Sequence, residues 1–188
     1  MESAFEQTFS KNNFTTEELP ASEFEVCTFN ACNFTEVNLS GIVFQECTFT
    51  DCNLSNVKLP KTAFKDCKFR NCKMLGMHFE QCNEFLFEVS FEGCTLDHST
   101  FNRLRLKKTK FVKCSVRECD FTEADLTEAL FSECDLADTR FERTNLEKSD
   151  FRTAINYSLD PEINKLKKAK FSLDGIPGLL AKYQIDIR

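Results

Sequence analysis

The sequence predicts an all-β solenoid, a narrow coil of short strand-like steps that is square in section and ends in a short C-terminal helical cap. Two observations carry the prediction. Large apolar residues recur at every fifth position over most of the 188 residues, and residue identity recurs best at every twentieth. A period of five fits neither the helical period of about 3.6 nor strand alternation over any length. A fixed repeat of this kind decides the fold before local propensity does.

The first series runs Phe14, Leu19, Phe24, Phe29, Phe34, Leu39, Phe44, Phe49, Leu54, Leu59, Phe64, Phe69, Met74 and Phe79. A second runs from Leu86 through Phe91, Leu96, Phe101, Leu106, Phe111, Val116, Phe121, Leu126, Phe131, Leu136, Phe141 and Leu146 to Phe151. Two places before most of these centres stands a small or medium side chain such as Ser22, Cys27, Val37, Ile42, Cys47 or Cys67, and the other three places are mostly polar. A unit with places minus two and zero turned inward is a strand-like step followed by a corner. Recurrence at twenty, as in Phe24, Phe44 and Phe64 or in Phe91, Phe111, Phe131 and Phe151, sets four units to the coil.

Twenty-eight such units make about seven coils over 14–151, and stacking at about 4.8 Å gives a rod on the order of 34 Å long. Each buried Phe or Leu contributes roughly 1.5–3 kcal/mol of transfer free energy, so ladders of like side chains can hold so narrow a core. Pro20 and Pro60 both fall one place after a centre, marking a corner whose N–H the ladder does not need.

Residues 1–13 precede the regular series and read as an N-terminal cap. Between Phe79 and Leu86, in "EQCNEFLFEVSF", the register slips by two. Cys82 keeps the minus-two place but its centre would be Glu84, and Phe85 and Phe87 fall out of phase. The extra pair implies a bulge or short loop over 83–88, read either as an accommodated repeat boundary or as a contact loop with an exposed Phe.

After Phe151 the character changes. Asp160 before Pro161 and Glu162 reads as an N-cap with Pro at the first helical position, and Ile163, Leu166 and Ala169 have helical spacing, which predicts a short helix. "AKFSL" at 169–173 matches one more unit, with Phe171 twenty after Phe151. "IPGLLAKYQIDI" predicts a second short helix followed by extended Ile185 and Ile187. An open solenoid end exposes both core and strand edges, so 152–188 reads as a C-terminal cap. Its surplus of apolar residues, Ile176, Leu179, Leu180, Tyr183 and Ile185, reads also as a homodimer contact.

All eleven cysteines hold minus-two places. Cys27, Cys47 and Cys67 form one ladder, Cys32, Cys52 and Cys72 a second, and Cys94, Cys114 and Cys134 a third. A zinc site wants four converging ligands, commonly with Cys two to four apart and His nearby. Here the spacing is five, and His78 and His98 fall at outward places. Ladder neighbours come within disulfide range, but the N-terminus lacks a signal-peptide layout and no apolar run is long enough to span a membrane, which points to a reducing cytoplasm. Cysteine is expected here as a small buried hydrophobe, with no metal and no cofactor. Without a Gly-rich phosphate loop, a nucleophile elbow or an inward His, the chain reads as non-enzymatic.

Charge is banded. The formal net charge of -6 divides into -8 over 1–57, +7 over 58–117, -8 over 118–150 and +3 over 152–188. The second acidic band holds Glu118, Asp120, Glu123, Asp125, Glu128, Glu133, Asp135, Asp138, Glu142, Glu147 and Asp150 against Arg140, Arg143 and Lys148. It reads either as a solvated face or as a negative stripe that a protein evolved to hold DNA would bind.

"ADLTE" at 124–128, "CDLAD" at 134–138 and "TNLEK" at 144–148 follow a unit of Ala/Cys/Ser, Asp/Asn, Leu/Phe and two polar residues. Over residues 12–151 the chain resembles the pentapeptide-repeat family. That resemblance implies a right-handed quadrilateral β-helix of pentapeptide repeats. The family's Qnr-type quinolone-resistance proteins, mycobacterial gyrase-binding protein and microcin-immunity protein are dimeric rods, joined through C-terminal caps. They bind DNA gyrase or topoisomerase IV by mimicking duplex DNA or by displacing drug or toxin. "LRLKKTKFVKCSVRECDFTEADL" and "LDPEINKLKKAKF" look most like the microcin-immunity branch, and "GLLAKYQIDI" is similar in type to the Qnr-type capping helix.

The resemblance therefore implies a non-enzymatic, cytoplasmic, dimeric rod with gyrase or topoisomerase IV as partner, the acidic stripe as its contact, and neither nucleic acid nor membrane bound directly. A scaffold for an unrelated protein partner is the alternative. Two departures from the family pattern stand out: the chain lacks long inserted loops, and its middle band is basic, with Arg103, Arg105, Lys107, Lys108, Lys110, Lys113 and Arg117.

Overall fold

A computed structural model describes residues 3–187. Its strands, in chain order, are β1 (Ser3–Phe5), β2 (Thr8–Ser10), β3 (Glu23–Glu25), β4 (Thr28–Asn30), β5 (Val43–Gln45), β6 (Thr48–Thr50), β7 (Ala63–Arg70), β8 (Phe87–Glu92), β9 (Lys110–Val112) and β10 (Leu130–Ser132). Every pairing is parallel. On one wall β1, β3, β5 and the start of β7 align Ala4, Phe24, Phe44 and Phe64. On the next, β2, β4, β6, the end of β7, β8, β9 and β10 align Phe9, Phe29, Phe49, Phe69, Phe91, Phe111 and Phe131. The other two walls are held by single bridges, such as Asn33 to Asn53 to Lys73 and Thr100 to Asp120 to Arg140.

The interior is a set of side-chain ladders. From Phe9 to Phe171 the rings of one ladder stack with centroids 4.7 to 5.4 Å apart, which is the strand repeat itself. Adjacent ladders meet edge to face, as Phe24 meets Phe29 at 5.4 Å and 68°, an arrangement that suits the aromatic quadrupole.

Each of the remaining places in the unit has its own task. The minus-two residue donates to the carbonyl of the coil beneath: Thr62 Oγ1 to Leu39 O at 2.7 Å, Cys67 Sγ to Phe44 O at 3.3 Å, Thr144 Oγ1 to Phe121 O at 2.9 Å. Cysteine therefore packs as a small hydrophobe and also supplies a weak donor. The minus-one Asp or Asn accepts from the backbone N–H two residues on, as Asp120 does from Thr122 at 2.8 Å and Asn53 from Ser55 at 3.1 Å, an Asx turn that starts the corner. The plus-two residue completes it in left-handed conformation, as at Val26, Glu46, Glu123 and Lys148. That conformation costs roughly 1–2 kcal/mol for a non-glycine residue. Its N–H nevertheless reaches the next coil, Glu46 to Lys65 O at 2.7 Å and Glu123 to Glu142 O at 2.9 Å, so the corner contributes to the ladder.

Three expectations change. The stretch read as an N-terminal cap, 1–13, already carries β1 and β2 and thus belongs to the coil, with Phe9 stacked on Phe29; Met1 and Glu2 lie outside the described residues. At the register break Leu86 is not a core centre. It is 38% exposed, and Phe87 packs inward opposite Phe64 instead. The cause is a pair of 3-10 turns, Phe79–Gln81 and Glu84–Leu86, the second capped by Asn83 Oδ1, which accepts from Phe85 N at 3.2 Å. Those turns take up the extra residues within one wall, so the spacing becomes twenty-two there, Phe69 still stacks on Phe91, and Cys94 donates to Phe69 O at 3.4 Å. The second and third cysteine ladders are consequently one column.

The helix expected from Asp160 is also absent. Asp160 Oδ1 accepts from Glu162 N at 2.8 Å, but the chain turns back and Asn164 fills a minus-two place, donating to Phe141 O at 2.9 Å. Lys165 then bridges Asn145 and Lys170 bridges Asp150. A short isolated helix is marginal, whereas Leu166 and Phe171 fall twenty residues after Leu146 and Phe151, in register with ready-made ladders; the ladder wins. The predicted last helix does form, as α1 (Pro177–Leu180) and one 3-10 turn, Ala181–Tyr183. It lies against Tyr157: a Cβ at Gly175 or Gly178 would overlap that residue, and Leu159 N donates to Gly178 O at 3.1 Å.

Candidate functional site

The corner residues project into solvent and stack coil upon coil, so the surface is best read as four corner columns. One column places Arg103, Glu123 and Arg143 in succession. Glu123 accepts from Arg103 at 2.9 Å and from Arg143 at 3.0 Å, and the Arg103 hydrogen bond, with Arg143 next, holds its carboxyl below the usual range. The next alternates Lys108, Glu128 and Lys148, with Lys148 at 3.0 Å and Lys108 at 3.8 Å from Glu128, whose carboxyl Lys148 likewise lowers. A third runs Lys113, Glu133 and Thr153, and Thr153 Oγ1 accepts from Glu133 N at 3.0 Å. The fourth runs Glu36, Asn56, Gly76, His98, Glu118 and Asp138 with no lysine or arginine.

The predicted acidic stripe is thus several environments. Asp120, Asp125 and Asp135 are Asx residues whose Oδ1 atoms accept from Thr122, Thr127 and Ala137 N. Asp125 also faces Lys107 at 3.3 Å; burial raises its carboxyl, but the Thr127 hydroxyl and N–H and Lys107 together bring it down. Asp135 takes a hydrogen bond from Asn156 at 2.8 Å and faces Arg117 at 3.9 Å. Asp150 is lowered chiefly by Arg152, 2.7 Å away. Glu142 faces Arg140 at 3.8 Å.

Glu118 and Asp138 sit together, with Asp120 and Arg140, around a cleft of about 440 Å³. Glu118 has His98 at 3.2 Å, while Asp138, Glu133 and Glu147 have no ion pair among the described residues. The alternation of Arg103, Glu123 and Arg143 was visible as charge at spacing twenty. The banded sum concealed it, because Arg103 is counted in the basic band and its partner Glu123 in the acidic one, while Arg143 is outnumbered within the acidic band.

The tail residues are partly assembled. Leu179 packs on the core, Leu180 is half-buried, and Ile176, Tyr183 and Ile185 are exposed, next to Leu173 at 90%. Lys182 clamps Asp160 at 2.8 Å and Glu162 at 2.6 Å, and Tyr183 donates to Glu162 at 2.9 Å. All eleven thiols are free and buried, and burial pushes Cys47 and Cys119 up to about 12, so these stay protonated and unreactive at neutral pH. Among the described residues no cluster of three or more His, Cys, Asp or Glu could hold a metal ion, and no helix is long and apolar enough to cross a membrane.

A family model for the pentapeptide repeat region matches residues 22–84 and 84–158. No curated protein matches the chain in sequence. Among solved structures, HetL, a pentapeptide repeat protein involved in heterocyst differentiation regulation from the cyanobacterium Nostoc sp. strain PCC 7120, is 14% identical with a TM-score of 0.62, covering 92% of this chain and 85% of its own. QnrB1, a plasmid-mediated fluoroquinolone resistance protein, is 18% identical over 100% of both chains with a TM-score of 0.49. The likeness to HetL shows the shared β-solenoid fold.

Proposed function

The chain belongs to the pentapeptide-repeat family, and on that premise we propose that it is a non-enzymatic protein-binding rod that engages a type II DNA topoisomerase, gyrase or topoisomerase IV, and protects it from an inhibitor or modulates it. The observation that carries this reading is the corner column ending in Glu118 and Asp138. Its carboxylates stack at the coil spacing of about 4.8 Å with no lysine or arginine between them, the field that an enzyme built to hold a polyanion would meet. Buried, unbridged thiols and a ladder-filled interior leave recognition to the outer surface. The exposed Leu173, Ile176, Tyr183 and Ile185 support pairing of two rods through their C-terminal ends.

The test is a supercoiling and decatenation assay with purified gyrase and topoisomerase IV, with and without a quinolone or peptide poison. Inhibition or rescue at micromolar protein is expected, and it should be lost in the double variant Glu118→Lys, Asp138→Lys. Asp125 and Asp135 are unsuited to that test because their carboxylates hold turns. Absence of both inhibition and rescue would remove the topoisomerase as the partner. The second reading, a scaffold for an unrelated protein, is favoured by the neutralised columns at Glu123 and Glu128, which leave only part of the stripe negative.

A further inference from the structure

The basic middle band and the register break are the features that the acidic edge does not absorb, and the fold brings them to one place. Residues 83–88 run between two clefts. One, of about 830 Å³, is walled in part by Lys61, Glu84, Phe85, Arg103 and Arg143. The other, of about 350 Å³, is walled in part by Lys68, Glu88, Arg105, Lys107, Lys108 and Lys110. The 3-10 turn that returns Phe87 to the core holds Phe85 outward, 81% exposed, with Leu86 beside it.

The two clefts differ in charge. In the first, three bases (Lys61, Arg103, Arg143) meet three acids (Glu80, Glu84, Glu123). In the second, five bases (Lys68, Arg105, Lys107, Lys108, Lys110) meet two acids, Asp66 and Glu88. Lys107 and Lys108 are paired with Asp125 and Glu128, but Lys68, Arg105 and Lys110 have no ion-pair partner among the described residues. Phe85 lines the balanced cleft while Phe87 and Glu88 line the basic one, so a single short segment carries an apolar knob on one side and borders unspent positive charge on the other.

We propose that this face docks an extended acidic segment of another protein, its carboxylates in the cleft of Lys68, Arg105 and Lys110 and an apolar side chain against Phe85. Size selects the partner. The basic band, 58–117, spans three coils of twenty residues, about 14 Å at a spacing of about 4.8 Å, and bands of net charge -8 lie on both sides. Duplex DNA carries a charge every ~1.7 Å of axis, and its backbones are set apart by a major groove ~12 Å wide. It would run onto acid within a Debye length of about 10 Å. An anionic membrane plane would meet the same acids. A single extended chain, about 4.8 Å across in a sheet, fits within the band. This site is separate from Glu118 and Asp138, and its test uses no topoisomerase.

The test is fluorescence anisotropy of a short labelled peptide in which glutamates alternate with leucine around a central phenylalanine, added to the full chain at low salt. Binding should weaken with salt. It should fall by about tenfold or more in the double variant Arg105→Glu, Lys110→Glu, and also in Phe85→Ser, but persist in the tail variant Lys165→Glu, Lys167→Glu. These side chains are all exposed, so thermal midpoints should not move. A glutamine-for-glutamate peptide, a short DNA duplex and phosphatidylserine vesicles should all bind more weakly. No binding, equal binding to the glutamine peptide, indifference to both the charge-reversal and the Phe85 variant, or tighter binding of duplex or vesicle would overturn the proposal.

Discussion

Val26 occupies a corner at φ 55 and is 40% exposed. A β-branched residue there is a genuine backbone outlier, because its Cβ crowds the backbone. Most other corners carry Asp, Asn, Glu, Lys or Arg, and Asn tolerates the left-handed region best. Val26→Asn should therefore raise stability by on the order of 1 kcal/mol, read as a higher denaturant midpoint at unchanged slope. An unchanged or lower midpoint would show that the strain is absorbed elsewhere. The same logic separates the outward acids: Asp125 and Glu118 both face solvent in a pattern of five, yet only Asp125 satisfies a backbone N–H of its own turn.

At the scale of elements, the tail is held by a short list of contacts. Gly178 gives α1 its close approach to Tyr157, and Lys182 joins Asp160 and Glu162. The Lys182 hydrogen bond is the main cause lowering both carboxyls. A carboxyl lowered on folding contributes stability above its unfolded pKa, about 3.9–4.3 for Asp and Glu, and loses it as pH falls through the folded value. The clamp should open below about pH 4, and more readily at high salt because its groups are solvent-facing. The chain has no Trp, and both tyrosines, Tyr157 and Tyr183, lie in the tail region. Tyrosine emission should change in acid before the far-UV circular dichroism of the coil. If the two change together, the tail does not release separately.

At the scale of the whole molecule, two rods paired through their tails would place the Glu118 and Asp138 edges on either side of the dimer centre. Sedimentation should give a dimer for the full chain and monomers or aggregates after deletion of 175–188; a well-behaved dimer after the deletion would remove the tail as the contact. The coil itself was legible because ladder formation is a periodic demand: any residue at the centre place must be apolar, so Phe24, Phe44 and Phe64 announce it. The break was legible as a slip of two, but its resolution was not. Leu86 and Phe87 are equally apolar, and only the 3-10 turn at 84–86 decides which returns to face Phe64.

By itself the sequence determined the step of five, the coil of twenty and the inward place of every cysteine. Each of these follows from side-chain polarity at fixed spacing, which a linear chain displays in full. Tertiary structure decided the rest. It made Asn164 and Lys165 continue the coil where local signals asked for a helix, since a preformed ladder outweighs a marginal short helix. It paired Glu123 and Glu128 with arginine or lysine across coils while giving Glu118 only His98 and Asp138 no ion pair among the described residues, because charges twenty residues apart become neighbours only once the chain has turned four corners. It also ran one short segment between two clefts, Phe85 on one and Phe87 and Glu88 on the other with Arg105 and Lys110, an arrangement that depends on how the two extra residues are coiled.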